Sequence, residues 1–353
     1  MRGLAAAGFA VLLVCLMGCR TYYGQAIQGQ WQMLTAPQPV GALLASTNTS
    51  PDLKAKLELV LRLRTFAQRE LRLKPDGHYA NYADLGRPFA VWTVDAAPEF
   101  SFEEKTWWYP VVGSLSYRGY FRKDLARSCA DRLAREGWDV HLGGVEAYST
   151  LGWFPDPLLN TFIHRDEPEL AKLLFHELAH QRVFVAGDTE FNEAFATTVA
   201  DSGVRRWLRA NGNTNALAAY EAAGRREAEF IALLQQTRAE LKTLYAKTNA
   251  LTVAAMREQK AAAFARLRER HAAWKQSYGG DSSHDGWFNR PLNNASLNTV
   301  ETYHHFVPGF TALLEHHGGD LEKFYREVRK LGRVGKDERH RRLIQLAGQA
   351  KPN

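Results

Sequence analysis

Residues 214–278 hold one glycine, Gly224, and no proline. Ala, Glu, Arg and Lys dominate the stretch, and these residues lose little on entering a helix. Phe230, Leu234, Leu241 and Leu244 recur at helical steps, and Phe264, Leu267, His271 and Trp274 do so further on. Thr248-Asn249 supplies a turn between the two runs. The pattern predicts a long antiparallel helical hairpin over 214–278, with the apolar stripe serving as its own core.

The remainder mixes short strands with helices. Pro51-Asp52 opens a helical pattern with Leu57, Val60, Leu61 and Phe66 on one face. Strands are expected within 88–121 and from Val140. A further strand is expected at 149–154, where Pro155 and Pro157 stop it. A helix is expected over 123–136, and a Gly-, Asp-, Ser- and Asn-rich loop over 279–300. The fold class is α+β, mostly helical, with a small mixed sheet and the hairpin as an insertion. Internal repeats are absent.

Leu173, Leu174, Leu178 and Phe184 give 170–185 helical spacing. Within that stretch stands His176-Glu177-Leu178-Ala179-His180. Histidines four apart share one helix face and are near enough to hold one small ion, with Glu177 beside them. Gly187-Asp188-Thr189 then breaks the helix, which resumes over 190–208. His180 lies seven residues before Gly187 and Glu193 six after it, each about 10 Å of helix from the bend. Folding the two helices together brings Glu193 beside His180. His176, His180 and Glu193 then form a His₂Glu site of the type that binds one zinc ion, with Glu190 as the alternative carboxylate. Zinc brings the pKa of a bound water from 15.7 to about 7, and Glu177 is placed to take the proton. Tyr303, in Tyr303-His304-His305, is the candidate donor to a developing oxyanion. Asn192 and Asp201 are candidate partners for the second nitrogen of a ligand histidine. Thr150, Leu151 and Gly152, about twenty residues upstream, are candidates for strand-like pairing with a peptide substrate.

The chain opens with Met1-Arg2-Gly3 and an apolar run from Leu4 to Met17. That run is shorter than the roughly 20 residues a spanning helix needs, and it has the length of a secretory leader's apolar region. It ends Leu16-Met17-Gly18-Cys19, which resembles a bacterial lipobox. In that resemblance residues 1–18 are removed and Cys19 is diacylated. Residues 19–50, rich in Gln, Gly, Thr and Ser, read as a tether with an early helical turn near Tyr22–Leu34, ahead of a domain spanning 51–353. Arg20 after the cysteine points to the outer rather than the inner membrane, facing the periplasm. Cys15 leaves with the leader, so Cys129 has no disulfide partner and is expected as a buried thiol. The net charge is +7, with basic residues scattered rather than clustered. That pattern excludes a dedicated nucleic-acid binder and suits an anionic envelope.

Phe175-His-Glu-Leu-Ala-His-Gln181 followed by Gly187-Asp-Thr-Glu-Phe-Asn-Glu-Ala-Phe-Ala196 resembles a family of bacterial aminopeptidases that look like gluzincins with lipoprotein signals. The likeness extends to Tyr109-Pro-Val-Val-Gly113, Arg118-Gly-Tyr-Phe121, Ser149-Thr-Leu-Gly-Trp-Phe154 and Val307-Pro-Gly-Phe310. It implies a zincin-like metallopeptidase fold, a peptide or protein substrate, His176, His180 and Glu193 as ligands, and Glu177 as base. Better-known gluzincins have the third ligand further downstream, with Asp four residues after it. Here that place holds Thr197. Glu190 or Glu146 would have to hold a substrate's free amine, and an endopeptidase fits the same residues. The competing reading is a non-catalytic envelope protein that uses the 214–278 hairpin as a binding arm around a structural zinc.

Overall fold

The computed structural model describes residues 22–109, 113–147, 155–247 and 250–349, the side chains of 301–304 aside. The chain begins with helix α1 over 22–35. Then come β1 (Gln38–Pro39), α2 (Val40–Ala45), α3 (Pro51–Arg69), β2 (Asn81–Ala83) and β3 (Val91–Pro98). Next are β4 (Trp107–Tyr109), β5 (Gly113–Leu115), β6 (Tyr117–Tyr120), α4 (Lys123–Arg135), β7 (Trp138–Val145) and β8 (Leu158–Leu159). Helices α5 (Glu167–His180), α6 (Thr189–Ala210), α7 (Thr214–Tyr245) and α8 (Val253–Ser277) follow. The chain closes with α9 (Asp285–Phe288), α10 (Asn294–His304), α11 (Val307–His316), α12 (Leu321–Arg333) and α13 (Lys336–Gln349). The architecture is α+β and mostly helical.

Three small sheets replace the expected single one. β3 pairs antiparallel along its length with β7, from Val91↔Val145 to Pro98↔Trp138, and on its other side with β6. Trp92, Val94 and Ala96 alternate onto the face that α4 covers with Ala126, Cys129, Ala130 and Leu133. Cys129 is thus a buried free thiol. β2 joins β1 antiparallel and β8 parallel, and β4 pairs with β5.

The main core lies between α3, α5, α6, α11 and α12. Phe66 meets Phe175 and Trp207, while Phe195 meets Phe310, Phe324 and Tyr325. α3 starts on Pro51, with the Ser50 hydroxyl accepting the Leu53 N–H. The α7–α8 hairpin has a separate core. Phe230, Leu234, Leu241 and Leu244 face Phe264, Leu267, His271 and Trp274, joined by Phe288 and Leu297. The hairpin is also tied to the sheet. The Lys260 ammonium reaches the Asp139 carboxylate and the Glu99 carbonyl, and the Tyr245 hydroxyl donates to Asn294.

Several boundaries differ from expectation. The helical turn expected near Tyr22–Leu34 is a full helix, α1. The tether packs on the body with Met33 and Val40 buried, because the Gln25 side chain accepts the Phe121 N–H and the Gln32 side chain accepts from the Arg87 guanidinium. The 279–300 loop contains α9 and the start of α10, since Asn293 and Ser296 cap one another across that start. The strand expected at 149–154 and the Thr248-Asn249 turn lie outside the described residues. Among the described residues no helix is long and apolar enough to cross a membrane.

Candidate metal centre

α5 begins at Asp166, whose carboxylate accepts the Glu169 N–H, with Pro168 in the first turn. Its Leu170, Leu174, Phe175 and Leu178 are almost fully buried, which turns the faces of His176 and Glu177 away from the core centre. The helix ends at His180 rather than continuing to 185, and Phe184 is exposed. Asn192 accounts for the early stop. Its side chain accepts the Val185 N–H and donates to the Val185 carbonyl, both at 2.8 Å, and holds 181–188 as a loop. Gly187 takes φ +78°, and the Asp188 carboxylate then caps α6 through the Phe191 N–H.

α6 returns against α5. Gly203 makes the crossing close: a Cβ there would stand 2.7 Å from the Phe175 ring and 2.8 Å from a Leu71 methyl. Glu193 therefore meets the histidines. His176 Nε2 lies 3.1 Å from Glu193 Oε2 and 3.2 Å from His180 Nε2, while His180 Nε2 lies 3.7 Å from Glu193 Oε1. One ligand atom from each of the three lies within 4.8 Å of the others. Bonds of about 2.0–2.1 Å at tetrahedral angles would set ligand atoms about 3.3 Å apart. Two neutral imidazole nitrogens and a carboxylate oxygen at these separations fit a zinc ion. A hydrogen bond between two imidazoles would need one of them to carry its proton on Nε2.

Burial drags the His180 pKa down to about 4, with the His176 charge adding to the effect and Glu193 opposing it. His180 is therefore neutral, the form that binds metal. For His176 burial also acts downward, but the Glu193 hydrogen bond and the charges of Glu177 and Glu193 outweigh it and raise the pKa. Glu193 experiences the reverse: burial acts upward and both histidines bring the net value down. Glu177 is pushed up to about 7 by burial, then by Glu193 and Asp156, against the pull of His176. His180 Nδ1 is buried with no partner among the described residues.

Other expected residues are placed differently. Asn192 serves the loop, not a ligand histidine. Asp201 accepts the Tyr220 hydroxyl at 2.6 Å and lies 3.6 Å from Lys172, so it belongs to the α5–α6–α7 seam. Glu146 is paired with Arg165 at 2.8 Å, and so is already committed to a cation. Glu190 lies outside the three-residue cluster, with the Glu104 carboxylate nearby instead. Tyr303 lies on α10, which packs against α6, and its side chain lies outside those described. Thr150, Leu151, Gly152 and Cys19 lie outside the described residues.

Tyr79 and Asp156 were not legible in the sequence. Tyr79 is buried at φ +59°, a left-handed conformation that L residues adopt only when held. Its N–H donates to the Asp156 carbonyl at 2.7 Å, and the Asp156 N–H donates to His78 Nδ1 at 3.0 Å. Burial, then the charges of Glu177 and Asp156, hold the Tyr79 phenol protonated. The only advance signal was the turn at Pro75-Asp76-Gly77.

A family model described as "Putative aminopeptidase" matches residues 21–343, which include both helices of the site. The chain belongs to that family. No curated protein and no solved structure matches it. For an aminopeptidase-family chain, a candidate metal-binding trio on two antiparallel helices is a chemically coherent centre.

Proposed function

We propose that this aminopeptidase-family protein is a zinc-dependent peptidase of the bacterial envelope, with a zincin-like fold. The reading rests on one observation above all: His176, His180 and Glu193 turn three ligand atoms toward one point, with Glu177 adjacent. His176, His180 and Glu193 would hold the ion. When bound, zinc supplies a water of lowered pKa and polarises the scissile carbonyl. Glu177 takes a proton from the attacking water and returns it to the leaving amine. A carboxylate directly beside the ligand histidines is the group placed to make both transfers. Tyr79 would keep its proton beside that carboxyl, and Tyr303 is the proposed oxyanion donor. Thr150, Leu151 and Gly152 would pair with the peptide backbone.

The family description supports cleavage at a free amino terminus. The leader and the Cys19 lipobox support a lipid-anchored protein at the outer membrane, facing the periplasm. The hairpin's apolar stripe is consumed by its own core, which removes the main reason to read it as a binding arm.

The test is metal analysis together with hydrolysis of a mixed peptide pool by the wild type and Glu177→Gln. The variant is expected to keep one zinc per chain and to lose about a thousandfold in turnover. Equal cleavage by both forms would remove the mechanism. Amino-terminally blocked peptides in the same pool separate the two modes, since an aminopeptidase leaves them intact.

A further inference from the structure

α1 carries two opposed faces. Gln25, Gly29 and Met33 are buried at four-residue steps. Tyr23, Ile27, Trp31 and Leu34 are exposed at 43%, 70%, 67% and 43%. At 3.6 residues per turn the exposed four fall within an arc of about 80°. A continuous row of large apolar side chains in water calls for a partner.

The helix cannot roll that row inward. The Gln25 carbonyl accepts the Phe121 N–H at 2.7 Å, and the Gln32 carbonyl accepts Arg87 Nη1 at 2.9 Å. The Arg118 guanidinium lies 4.0 Å from the centre of the Tyr22 ring. Gly29 sits directly on the Phe121 ring, where any Cβ would collide. The apolar row is therefore a fixed outer surface of the protein.

Its position in the chain and its chemistry name the partner. Cys19 lies three residues before Tyr22, a reach of at most about 11 Å. Not one charged residue occurs between Thr21 and Ser50, so nothing on the helix resists entry into a headgroup layer. Trp and Tyr favour that layer, where a ring can be apolar on its body and wet at its polar edge.

We propose that α1 lies in the surface of the lipid bilayer, with Tyr23, Ile27, Trp31 and Leu34 inserted at headgroup depth. It would act as a second, rigid contact beside the lipid anchor. Such a helix binds in the interface plane without spanning the membrane. Two contacts fix orientation where one flexible anchor does not, so the enzyme body would keep a set attitude to the membrane. This inference rests on the envelope location proposed above.

The test uses the protein expressed from its full-length sequence and purified from membranes, with an environment-sensitive fluorophore on Ile27→Cys, Cys129 being buried. A second sample carries the label on Lys330→Cys, an exposed site on α12. Both are reconstituted in phosphatidylethanolamine–phosphatidylglycerol vesicles containing a headgroup nitroxide lipid. Position 27 is expected to shift to the blue and to be quenched several-fold more than position 330. Adding Trp31→Gln and Leu34→Gln should reduce that quenching. Water-like emission at position 27 on the vesicles overturns the proposal. So does a blue shift that grows with protein-to-lipid ratio without quenching, which would assign the face to a second copy. Intact mass of the same sample reads Cys19 separately. An unmodified amino terminus would sink the lipid anchor, while the quenching would still decide the role of α1. Retained residues 1–18 with an unquenched, blue-shifted label would assign the face to the leader and overturn the proposal.

Discussion

Glu193 illustrates how one residue's chemistry depends on two neighbours. It is buried, which disfavours its charge, yet His176 and His180 more than compensate. Asp95 has no such compensation. Burial, then the charge of Glu104, pushes its carboxyl up to about 7 against a hydrogen bond from Thr93. A carboxyl whose pKa rises on folding takes up a proton when the chain folds. Its contribution is full below about pH 4 and is lost as pH climbs to about 7. Asp95→Asn should therefore melt at a higher temperature than wild type near pH 8. Near pH 4 the two should melt together, as followed by circular dichroism. A difference that persists at acid pH would assign the effect to packing. Glu193→Ala should lose zinc stoichiometrically while remaining folded, as read by metal analysis and near-ultraviolet circular dichroism.

At the scale of elements, the α5–α6 pair was readable because its signals are local. Periodicity marked both helices, and Gly187-Asp188 marked the break. The end of α5 was misplaced by about one turn, because Val183, Phe184 and Val185 continue an apolar pattern while Asn192 captures Val185 instead. Asp188 does more than cap α6. It is buried and accepts from Arg339 Nε at 2.6 Å, with His340 Nε2 at 2.9 Å. This pins the start of the helix that carries Glu193 to α13. Asp188→Ala removes the cap and leaves the buried Arg339 charge unpaired. The expected cost is about 3–5 kcal/mol in chemical denaturation. A loss below about 1 kcal/mol would mean that Arg339 finds water or another acceptor. Gly203→Ala should cost about 1–3 kcal/mol, since Phe175 and Leu71 have no room to retreat within the core.

For the whole molecule, separate cores imply separate stabilities. The α7–α8 hairpin packs on its own cluster, and the candidate metal centre lies on the main one. Zinc at about 100 times its dissociation constant should stabilise the fold by about 2.7 kcal/mol. In hydrogen exchange its protection should concentrate in α5 and α6, with α7 and α8 little changed. Uniform protection would mean that the two cores open as one unit. From sequence alone the two histidines were bound to share a face, because 3.6 residues per turn is a local property of the backbone. The hairpin stripe and the helix break followed for the same reason. The spacing about Gly187 also favoured Glu193 over Glu190, and the fold bears that out. Only the folded chain decided that Asn192 and Asp201 serve other neighbours, and that the charges of Glu177 and Asp156 act on Tyr79. Those relations join residues far apart in sequence, and they depend on how close two packed surfaces can come: a glycine at 203, a loop held by one amide, an aspartate anchored from α13.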